Sequence, residues 1–290
     1  MIKAQKFPQN PILLPDLEKK EASVYNPAAI EKNGKIFLFY RSERGFGDFA
    51  TSRINLAISE NGISFKRYKK NPVVDIEKKI EKMGCEDPRI IKTEDFYFLT
   101  YTAYAGRDRK GDYKINLCGA ISKDLFSWKK IGILIKNEKS GAIVQDYKYK
   151  GKFVMYFGGK IVKIAFSKNL KRWEIQPKPV LLPRKGNFFD NHLVEGGPPP
   201  VVRNDGIYVF YNGKNNKGKF SIGLAIFDKK DPSRLLKRFS SPLVEPTEYW
   251  EKYGKVNNTV FATAFLKFKR NWLLYFGGAD KAIGGAKIYL

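Results

Sequence analysis

The sequence predicts an all-β fold, a five-bladed β-propeller, because one residue pattern recurs five times along the 290-residue chain. Each repeat has an aromatic-rich strand with a Tyr at the same point, followed by a strand that carries small residues. Self-similarity at a nearly even period of 55 to 64 residues indicates a propeller or a solenoid. The repeated tyrosines are Tyr40, Tyr101, Tyr156, Tyr211 and Tyr275.

The predicted strands follow from this repeat in chain order. The aromatic strand is predicted first in each repeat, at residues 35–41, 96–102, 152–158, 207–213 and 271–277. The small-residue strand follows at residues 56–59, 119–122, 164–167, 224–227 and 285–288. After the first three of these, a turn leads to Phe65, Trp128 or Trp173, which predicts a further outer strand. Because no segment keeps a helical apolar period for more than about two turns, we expect no α-solenoid. The even repetition predicts a single domain over residues 1–290.

Composition excludes several classes of function. No apolar run approaches the roughly 20 residues that cross a bilayer, and the first 17 residues lack a signal-peptide pattern. We therefore expect a cytoplasmic protein with no membrane partner. The net charge is +25, but Lys and Arg are scattered over every segment, so we expect no nucleic-acid partner. Cys85 and Cys118 match no disulfide, zinc or redox pattern and are expected to pack in the core; the oligomeric state is left open.

Carboxylates are the side chains that remain to carry chemistry. The chain has one His, and it has no nucleophile elbow, no phosphate-binding glycine loop and no paired metal ligands. Its most unusual string is Gly-Cys-Glu-Asp-Pro-Arg at residues 84–89, just before the second aromatic strand. Pro88 is expected to keep Asp87 in extended backbone, and Arg89 can grip a carboxylate or a sugar oxygen. Taken alone, the string is also explained by a salt-bridged turn.

Acidic residues recur near the other aromatic strands. Asp190 and Glu195 precede a rigid Gly-Gly-Pro-Pro-Pro segment that leads into the fourth repeat. Glu43 follows the first aromatic strand and Asp280 follows the fifth. Because function in a propeller sits at the mouth of the central channel, we expect these acids there. His192, the one His, is expected to be a hydrogen-bonding loop residue rather than a general base.

Seven short motifs, in order, resemble those of glycoside hydrolase family 130, and together they span nearly the whole chain. They are Asn-Pro-Ala at 26–28, Phe-Tyr-Arg-Ser-Glu at 39–43, Glu-Asp-Pro-Arg at 86–89, Tyr-Thr-Ala-Tyr at 101–104, Lys-Ser-Gly-Ala-Ile at 139–143, Glu-Gly-Gly-Pro-Pro-Pro at 195–200 and Gly-Gly-Ala-Asp at 277–280. The resemblance implies a five-bladed propeller that acts on β-linked mannosides, with the β-1,2 linkage expected here. Some members act by phosphorolysis and others by hydrolysis, both with inversion.

The resemblance also assigns roles to individual residues. Asp87 matches the family's proton donor, and burial beside Glu86 is expected to raise its pKa so that it stays protonated. The expected substrate-binding set is Asn26, Arg41, Glu43, Arg89, Tyr104, Lys139, Asp190 and Asp280. No metal and no cofactor are expected, apart from inorganic phosphate as co-substrate if the enzyme is a phosphorylase.

The choice between hydrolysis and phosphorolysis turns on two positions. Phosphorylases of the family commonly carry a His-Arg pair after the third aromatic strand, where this chain has Gly159-Lys160. Glu195 stands where hydrolytic members keep an acid, and an inverting hydrolase needs such a base, so the sequence favours hydrolysis with Glu195 as base. A β-mannoside phosphorylase that releases mannose 1-phosphate stays open, because Lys139 and Lys160 can also bind phosphate. A non-catalytic carbohydrate-binding propeller is the alternative of another class.

Overall fold

The computed structural model describes residues 2–290, apart from the side chain of Asp48, and within that range the chain is all-β. Its strands form four sheets, and the largest, of eight strands, contains two antiparallel units that are joined by the parallel pairing of Ser52 with Gly84. The sheets therefore comprise five antiparallel units, and most neighbouring strands within a unit follow one another in the chain. The first unit comprises β2 to β5, at Ser23–Lys32, Lys35–Arg44, Thr51–Ser59 and Lys66–Arg67. The second comprises β6 to β9, at Gly84–Lys92, Tyr97–Arg107, Tyr113–Ser122 and Lys129–Lys136. The third unit comprises β10 to β13, at Ala142–Tyr149, Lys152–Phe157, Lys163–Ser167 and Glu174–Ile175.

The last two units include an interrupted first strand and the N-terminal strand. In the fourth, β14 (Leu193–Gly196) and β15 (Val201–Arg203) both pair with β16 (Gly206–Lys214), and β17 (Phe220–Phe227) and β18 (Leu235–Arg238) follow. The fifth comprises β19, β20 and β21, at Val260–Phe268, Asn271–Gly278 and Ala282–Tyr289. Its outermost strand is β1 (Lys3–Lys6), which pairs with β21 and so joins the two ends of the described chain in one sheet.

Helical structure within residues 2–290 is confined to short segments. The α-helix α1 spans Tyr249–Lys252, and 3-10 turns lie at Leu17–Lys19, Gly47–Phe49 and Lys79–Glu81. None of the helices in this range has the length and apolar character needed to span a membrane.

Our prediction that the aromatic strand comes first in each unit was wrong. Every aromatic strand is the second of its unit, and a further strand precedes it. The Glu-Asp-Pro-Arg string thus lies inside β6 rather than in a loop before the unit. The missed strands are all bulged or interrupted, and β2 and β6 also contain Pro, which are features that argue against a strand when only the sequence is read.

The hydrophobic core is divided into five clusters, and each lies between two units. The first cluster packs Phe39 of the first unit against Leu99 of the second and also holds both free cysteines. Three more clusters join the second unit to the third, the third to the fourth, and the fourth to the fifth. In the last cluster, Leu38 of the first unit packs with Leu273 of the fifth. Each unit therefore buries its faces against two neighbours, and the fifth unit returns to the first.

The five repeated tyrosines are fully buried, and each hydroxyl donates a hydrogen bond to an oxygen from another segment. Tyr156 and Tyr275 donate to main-chain carbonyls. The other three donate to buried carboxylates that lie ahead of the first strand of their unit, and a cation on the outermost strand pairs with the same acid. These sets are Tyr40 with Glu21 and Arg67, Tyr101 with Glu81 and Lys130, and Tyr211 with Asp190 and Arg238.

Candidate active site

Two bulged residues in neighbouring units aim their side chains at one point. Asn26 in β2 and Asp87 in β6 each precede a proline, and their φ angles are 46° and 51°. The strand pairing skips at both positions, and such bulges commonly re-aim a side chain beside an active site. Nδ2 of Asn26 donates to Oδ1 of Asp87 at 2.8 Å. The expectation that Pro88 keeps Asp87 extended was therefore wrong, because the bulge places it in the left-handed region that Asp and Asn tolerate better than most residues.

The guanidinium of Arg41, in β3, lies at the centre of a group of carboxylates. Its Nη2 is 2.7 Å from Oε1 of Glu86 and 3.4 Å from Oε2 of Glu43, and its Nη1 is 3.3 Å from Oδ1 of Asp87. Nε donates to Oγ of Ser52 at 2.8 Å, which fixes the plane of the group. Burial lowers the pKa of Arg41, but the carboxylates outweigh this effect and the pKa is raised. Arg41 therefore stays charged and holds three acids together.

Tyr25 completes the support of Arg41. The Arg41 guanidinium carbon lies 4.6 Å from the centroid of the Tyr25 ring, a cation–π contact. The Tyr25 hydroxyl donates to Oε2 of Glu43 at 2.8 Å. Neither the cation nor this acid is therefore free to rotate.

Glu86 and Asp87 are adjacent acids that hold their protons differently. Burial raises the pKa of Glu86 to about 7, and the charge of Asp87 adds to the rise against the pull of Arg41. Burial also disfavours the charged form of Asp87, but Arg41 and Lys139 outweigh it, so the pKa of Asp87 is lowered. The expectation of a raised pKa for Asp87 was wrong for this arrangement, because two cations face it. Around neutral pH, the proton that this pair can hold resides on Glu86.

Glu195, in β14, faces the same site through Lys139. Oε1 of Glu195 lies 2.7 Å from Nζ of Lys139 and accepts from Oγ of Ser140 at 2.5 Å. Burial lowers the pKa of Lys139, but Glu195 and then Asp87 outweigh it and the pKa is raised. Lys139 therefore lies within range of both candidate catalytic carboxylates. Gly196 permits this approach, since a Cβ there would collide with the main-chain oxygen of Ser140.

Arg89 is buried and directs its donors at main-chain oxygens. Nε donates to the carbonyl of Gly197 at 3.0 Å and Nη2 to that of Gly196 at 2.8 Å. Nη1 donates to the main-chain oxygen of Asp87 at 2.8 Å. Arg89 thus connects the Asp87 bulge to the segment that carries Glu195, and none of these bonds reaches a carboxylate.

Three further residues of the predicted set lie around Arg41. Glu43 accepts from Lys255 Nζ at 2.8 and 2.7 Å. Burial and the charges of Asp87 and Glu43 raise the pKa of Asp280 to about 6, against Arg41 and Lys255. Tyr104 is partly buried, and burial and then the charge of Glu86 raise its pKa. The structure therefore brings together most of the residues that the motifs singled out.

Asp190 does not belong to this group. Its side chain has no exposed surface, and it accepts from Arg184 at 2.7 Å, Arg238 at 2.5 Å and Tyr211 at 2.6 Å. Its placement at the substrate site was wrong, because these partners already satisfy its oxygens inside the fourth unit. His192 is exposed in the segment just before β14, as expected of a loop residue.

Several supporting residues escaped the sequence analysis. Tyr25, Ser52, Ser140 and Lys255 all contact a charged group of the site. Tyr25 adjoins the motif at 26–28 and Ser140 lies within the motif at 139–143, so position in sequence was an available signal for them. Ser52 and Lys255 carry no such signal, since Lys255 is separated from Glu43 by 212 positions.

One buried polar atom at the site has no partner among the described residues. Oδ1 of Asn26 is buried and receives no hydrogen bond within residues 2–290. Such an atom costs free energy unless a ligand supplies a donor, as a sugar hydroxyl can. In the same range, no group of three or more His, Cys, Asp or Glu side chains is arranged to hold a metal ion.

Cleavage of a glycosidic bond needs a buried carboxyl group that can protonate the leaving oxygen. The Glu86–Asp87 pair, beside two cations and the unpartnered Oδ1 of Asn26, supplies such a group, and the class of protein that it indicates is a carbohydrate-active enzyme.

Comparison with known proteins agrees with this class. The family model described as β-1,4-mannooligosaccharide phosphorylase, of glycoside hydrolase family 130, matches residues 5–290. A 1,2-β-oligomannan phosphorylase of Thermoanaerobacter sp. (strain X514) is 35% identical, over 99% of this chain and 97% of the relative. A β-1,2-mannobiose phosphorylase of the same strain is 32% identical, over 99% and 98%.

A solved structure extends the comparison. It is described as "The GH130 family of mannoside phosphorylases contains glycoside hydrolases that target beta-1,2 mannosidic linkages in Candida mannan". Its TM-score is 0.89 at 33% identity, and the match covers 100% of this chain and 93% of that one. The chain belongs to glycoside hydrolase family 130, a family of mannoside phosphorylases and related hydrolases, which confirms the resemblance seen in its motifs.

The raised pKa of Asp280 predicts a pH-dependent stability. Because the folded protein keeps a proton on Asp280 up to about pH 6 while an unfolded Asp loses it near 3.8, Asp280 destabilises the fold increasingly as pH rises between these values. D280N should match the wild type in Tm at pH 4 and exceed it by a few degrees at pH 7. Thermal melts from pH 4 to pH 7 measure the difference.

D228N is the control of opposite sign. The main-chain N–H of Lys230 and the side chain of Arg234 lower the pKa of Asp228, so this residue stabilises the fold above its ordinary pKa and the benefit is lost as pH falls. D228N should therefore lie below the wild type in Tm by a nearly constant amount between pH 5 and pH 7, and the gap should close only as pH falls below about 4. A Tm difference for D280N that is constant with pH would contradict the assignment.

Proposed function

We propose that the chain is a phosphorylase of β-1,2-linked manno-oligosaccharides. The observation that carries the proposal is that two cations, Arg41 and Lys139, adjoin the Glu86–Asp87 acid pair. Acid and anion-binding groups are the two components of phosphorolysis. The names of the two relatives support the linkage and the reaction.

We further propose that the five units form the blades of one propeller and a single domain over residues 1–290. The support is the closed series of contacts between units. Oγ1 of Thr100 donates to Gly141 of the third unit at 2.6 Å, and Nδ2 of Asn212 donates to Ala262 of the fifth at 3.0 Å. Oγ1 of Thr263 donates to Pro27 of the first unit at 2.7 Å, which joins the last unit to the first. Acids carried by the first and second strands of the blades then face one central mouth.

In the proposed reaction, Asp87 is the general acid. It gives its proton to the glycosidic oxygen as the bond from that oxygen to the anomeric carbon breaks. A phosphate oxygen forms the new bond to the same carbon from the opposite face, so the β-mannoside becomes α-mannose 1-phosphate. The other product is the shortened oligosaccharide, and the Asp87 carboxylate then recovers a proton from water.

Phosphate binding also explains how Asp87 gains its proton. In the empty site, Arg41 and Lys139 lower the pKa of Asp87, and Glu86 holds the proton of the pair. A phosphate dianion beside both cations compensates their charge, which raises the pKa of Asp87 and favours transfer of the proton to it. Asp87 is therefore protonated and able to act as the general acid only when phosphate is bound.

Lys139 is the residue that phosphate must engage. Its ammonium group pairs with Glu195 at 2.7 Å, and its side chain is 32% exposed. This partial exposure lets an anion approach, and the raised pKa keeps the group charged. Glu195 then acts as the temporary partner of Lys139. The residues placed to bind sugar hydroxyls are Asn26, through its unpartnered Oδ1, and Glu43, Tyr104 and Asp280. Arg89 positions the Asp87 bulge against the segment that carries Glu195.

Hydrolysis is the second candidate, and one observation favours it. Glu195 is a buried acid, and the solved relative at 33% identity is described among hydrolases of β-1,2 mannosidic linkages. In that case Glu195 activates a water opposite Asp87. Its pairing with Lys139 and Ser140 opposes this role, because both donors already occupy Oε1 of Glu195.

The role of Asp87 predicts the effect of D87N. The amide keeps the shape but cannot donate a proton, so kcat on β-1,2-mannobiose with phosphate should fall by about a hundredfold or more. D146N is the matched control, since Asp146 is exposed and also has a positive φ of 52°, and its kcat should not change. Unchanged turnover in D87N would remove Asp87 from the mechanism.

The products of mannobiose cleavage distinguish the two candidate reactions. Phosphorolysis predicts equal amounts of mannose 1-phosphate and mannose, with no turnover when phosphate is omitted. E195Q should then retain kcat within about tenfold, whereas a general base would lose roughly a hundredfold or more. E174Q, at an exposed ion pair with Lys152, is the control. Free mannose as the only product, with or without phosphate, would establish the hydrolase instead.

A further inference from the structure

Two tyrosines at the ends of α1 present an exposed aromatic surface beside the candidate site. Tyr249 is the first residue of the helix, and Tyr253 is the residue that follows it, with its main-chain N–H bonded to the Tyr249 carbonyl. Their side chains are 78% and 55% exposed, and their ring centroids lie 4.8 Å apart at an interplanar angle of 39°, so the two rings form one continuous patch. The mechanism described above uses neither residue.

The opposite side of the same helix is anchored in the fifth unit. The Trp250 ring stacks on Phe276 with centroids 5.8 Å apart and packs against Gly278. Glu251 is fully buried and pairs with Lys6 at 2.5 Å. The tyrosine pair is therefore held on a rigid support, with its outer surface open to solvent.

The chain that follows the helix connects this patch to the site. Gly254 packs against Ala279, the neighbour of Asp280, and no side chain would fit between them. Lys255 pairs with Glu43, which in turn contacts Arg41. Since Tyr253 is two residues from Lys255, its Cα lies within about 7 Å of that residue's Cα. The patch thus stands at the rim of the mouth.

We propose that Tyr249 and Tyr253 form a distal subsite for the mannose units of longer β-1,2-manno-oligosaccharides that extend out of the mouth. The inference rests on the proposed function and adds a chain-length preference to it. The faces of aromatic rings accept the apolar C–H face of a pyranose while the sugar hydroxyls stay hydrated. Tyrosine on a rigid support loses little conformational entropy on binding.

The size of the patch supports a sugar rather than a protein partner. A stable protein interface buries roughly 800 Å² on each side, which two rings do not supply. Two adjacent rings match the area of one or two pyranose units, and the patch is continuous with the residues that surround Arg41.

The test compares substrates of two lengths in the full-length protein with phosphate at saturation. For Y249A/Y253A, KM for β-1,2-mannotetraose should rise about fivefold, which is the scale of one aromatic contact. KM for β-1,2-mannobiose and kcat for both substrates should stay within about twofold. Y249F/Y253F keeps both ring faces and should behave as the wild type.

Y289A serves as the matched control. Tyr289 is also exposed, but it lies at the opposite end of β21 from Ala282. The two residues are seven positions apart, which places their Cα atoms about 23 Å from each other. It should leave both substrates unaffected. Equal loss on both substrates, or no loss on either, would overturn the subsite while leaving the phosphorylase intact. A wild-type protein that cleaves neither length would overturn the proposed function, and the subsite with it.

Discussion

The buried guanidinium of Arg41 is the interaction on which the candidate site depends. Glu43, Glu86 and Asp87 all lie within 3.4 Å of it, and like charges at such spacing cannot share a buried site without a cation. Tyr25 and Ser52 restrict the guanidinium from two directions, so the acids keep a defined geometry before any ligand binds. Arg41 lowers the pKa of both Glu86 and Asp87, and Arg89 and the hydrogen bond from Asn26 lower the pKa of Asp87 further, so Glu86 is the acid that holds the proton. An anion that compensates Arg41 therefore changes the chemistry of the whole site.

Buried carboxylates also occur elsewhere in the fold, and their partners distinguish the structural ones from the candidate catalytic ones. Glu21, Glu81 and Asp190 each receive a tyrosine hydroxyl and a cation from their own unit, and each lies ahead of the first strand of that unit. Fully satisfied groups of this kind stabilise a unit and bind nothing else. At the site, by contrast, Asn26 keeps an unpartnered oxygen, and burial raises the pKa of Asp280 to about 6.

The sequence was informative where a local pattern repeats. The five tyrosines located the units because each occupies the same buried position, and Asp87 stood out because an acid, a proline and an arginine adjoin it. The first strand of each unit was missed because a bulge or an interruption breaks its alternating pattern, and in two units a proline inside the strand also argues against it. The direction of the Asp87 pKa, the main-chain contacts of Arg89 and the burial of Asp190 depend on residues that are distant in the chain. Lys255 shows the limit most clearly, since nothing near Glu43 in sequence indicates a partner 212 positions away.

The proposed reaction requires that Arg41 and Lys139 bind phosphate beside Asp87. The most direct measurement is a crystal structure of the protein with phosphate and mannose bound. We expect phosphate oxygens within hydrogen-bond distance of Arg41 and Lys139, with Lys139 no longer at 2.7 Å from Glu195, and a mannose hydroxyl that donates to Oδ1 of Asn26. Phosphate bound elsewhere, with the Lys139–Glu195 pair intact and a water between Glu195 and the sugar, would contradict it.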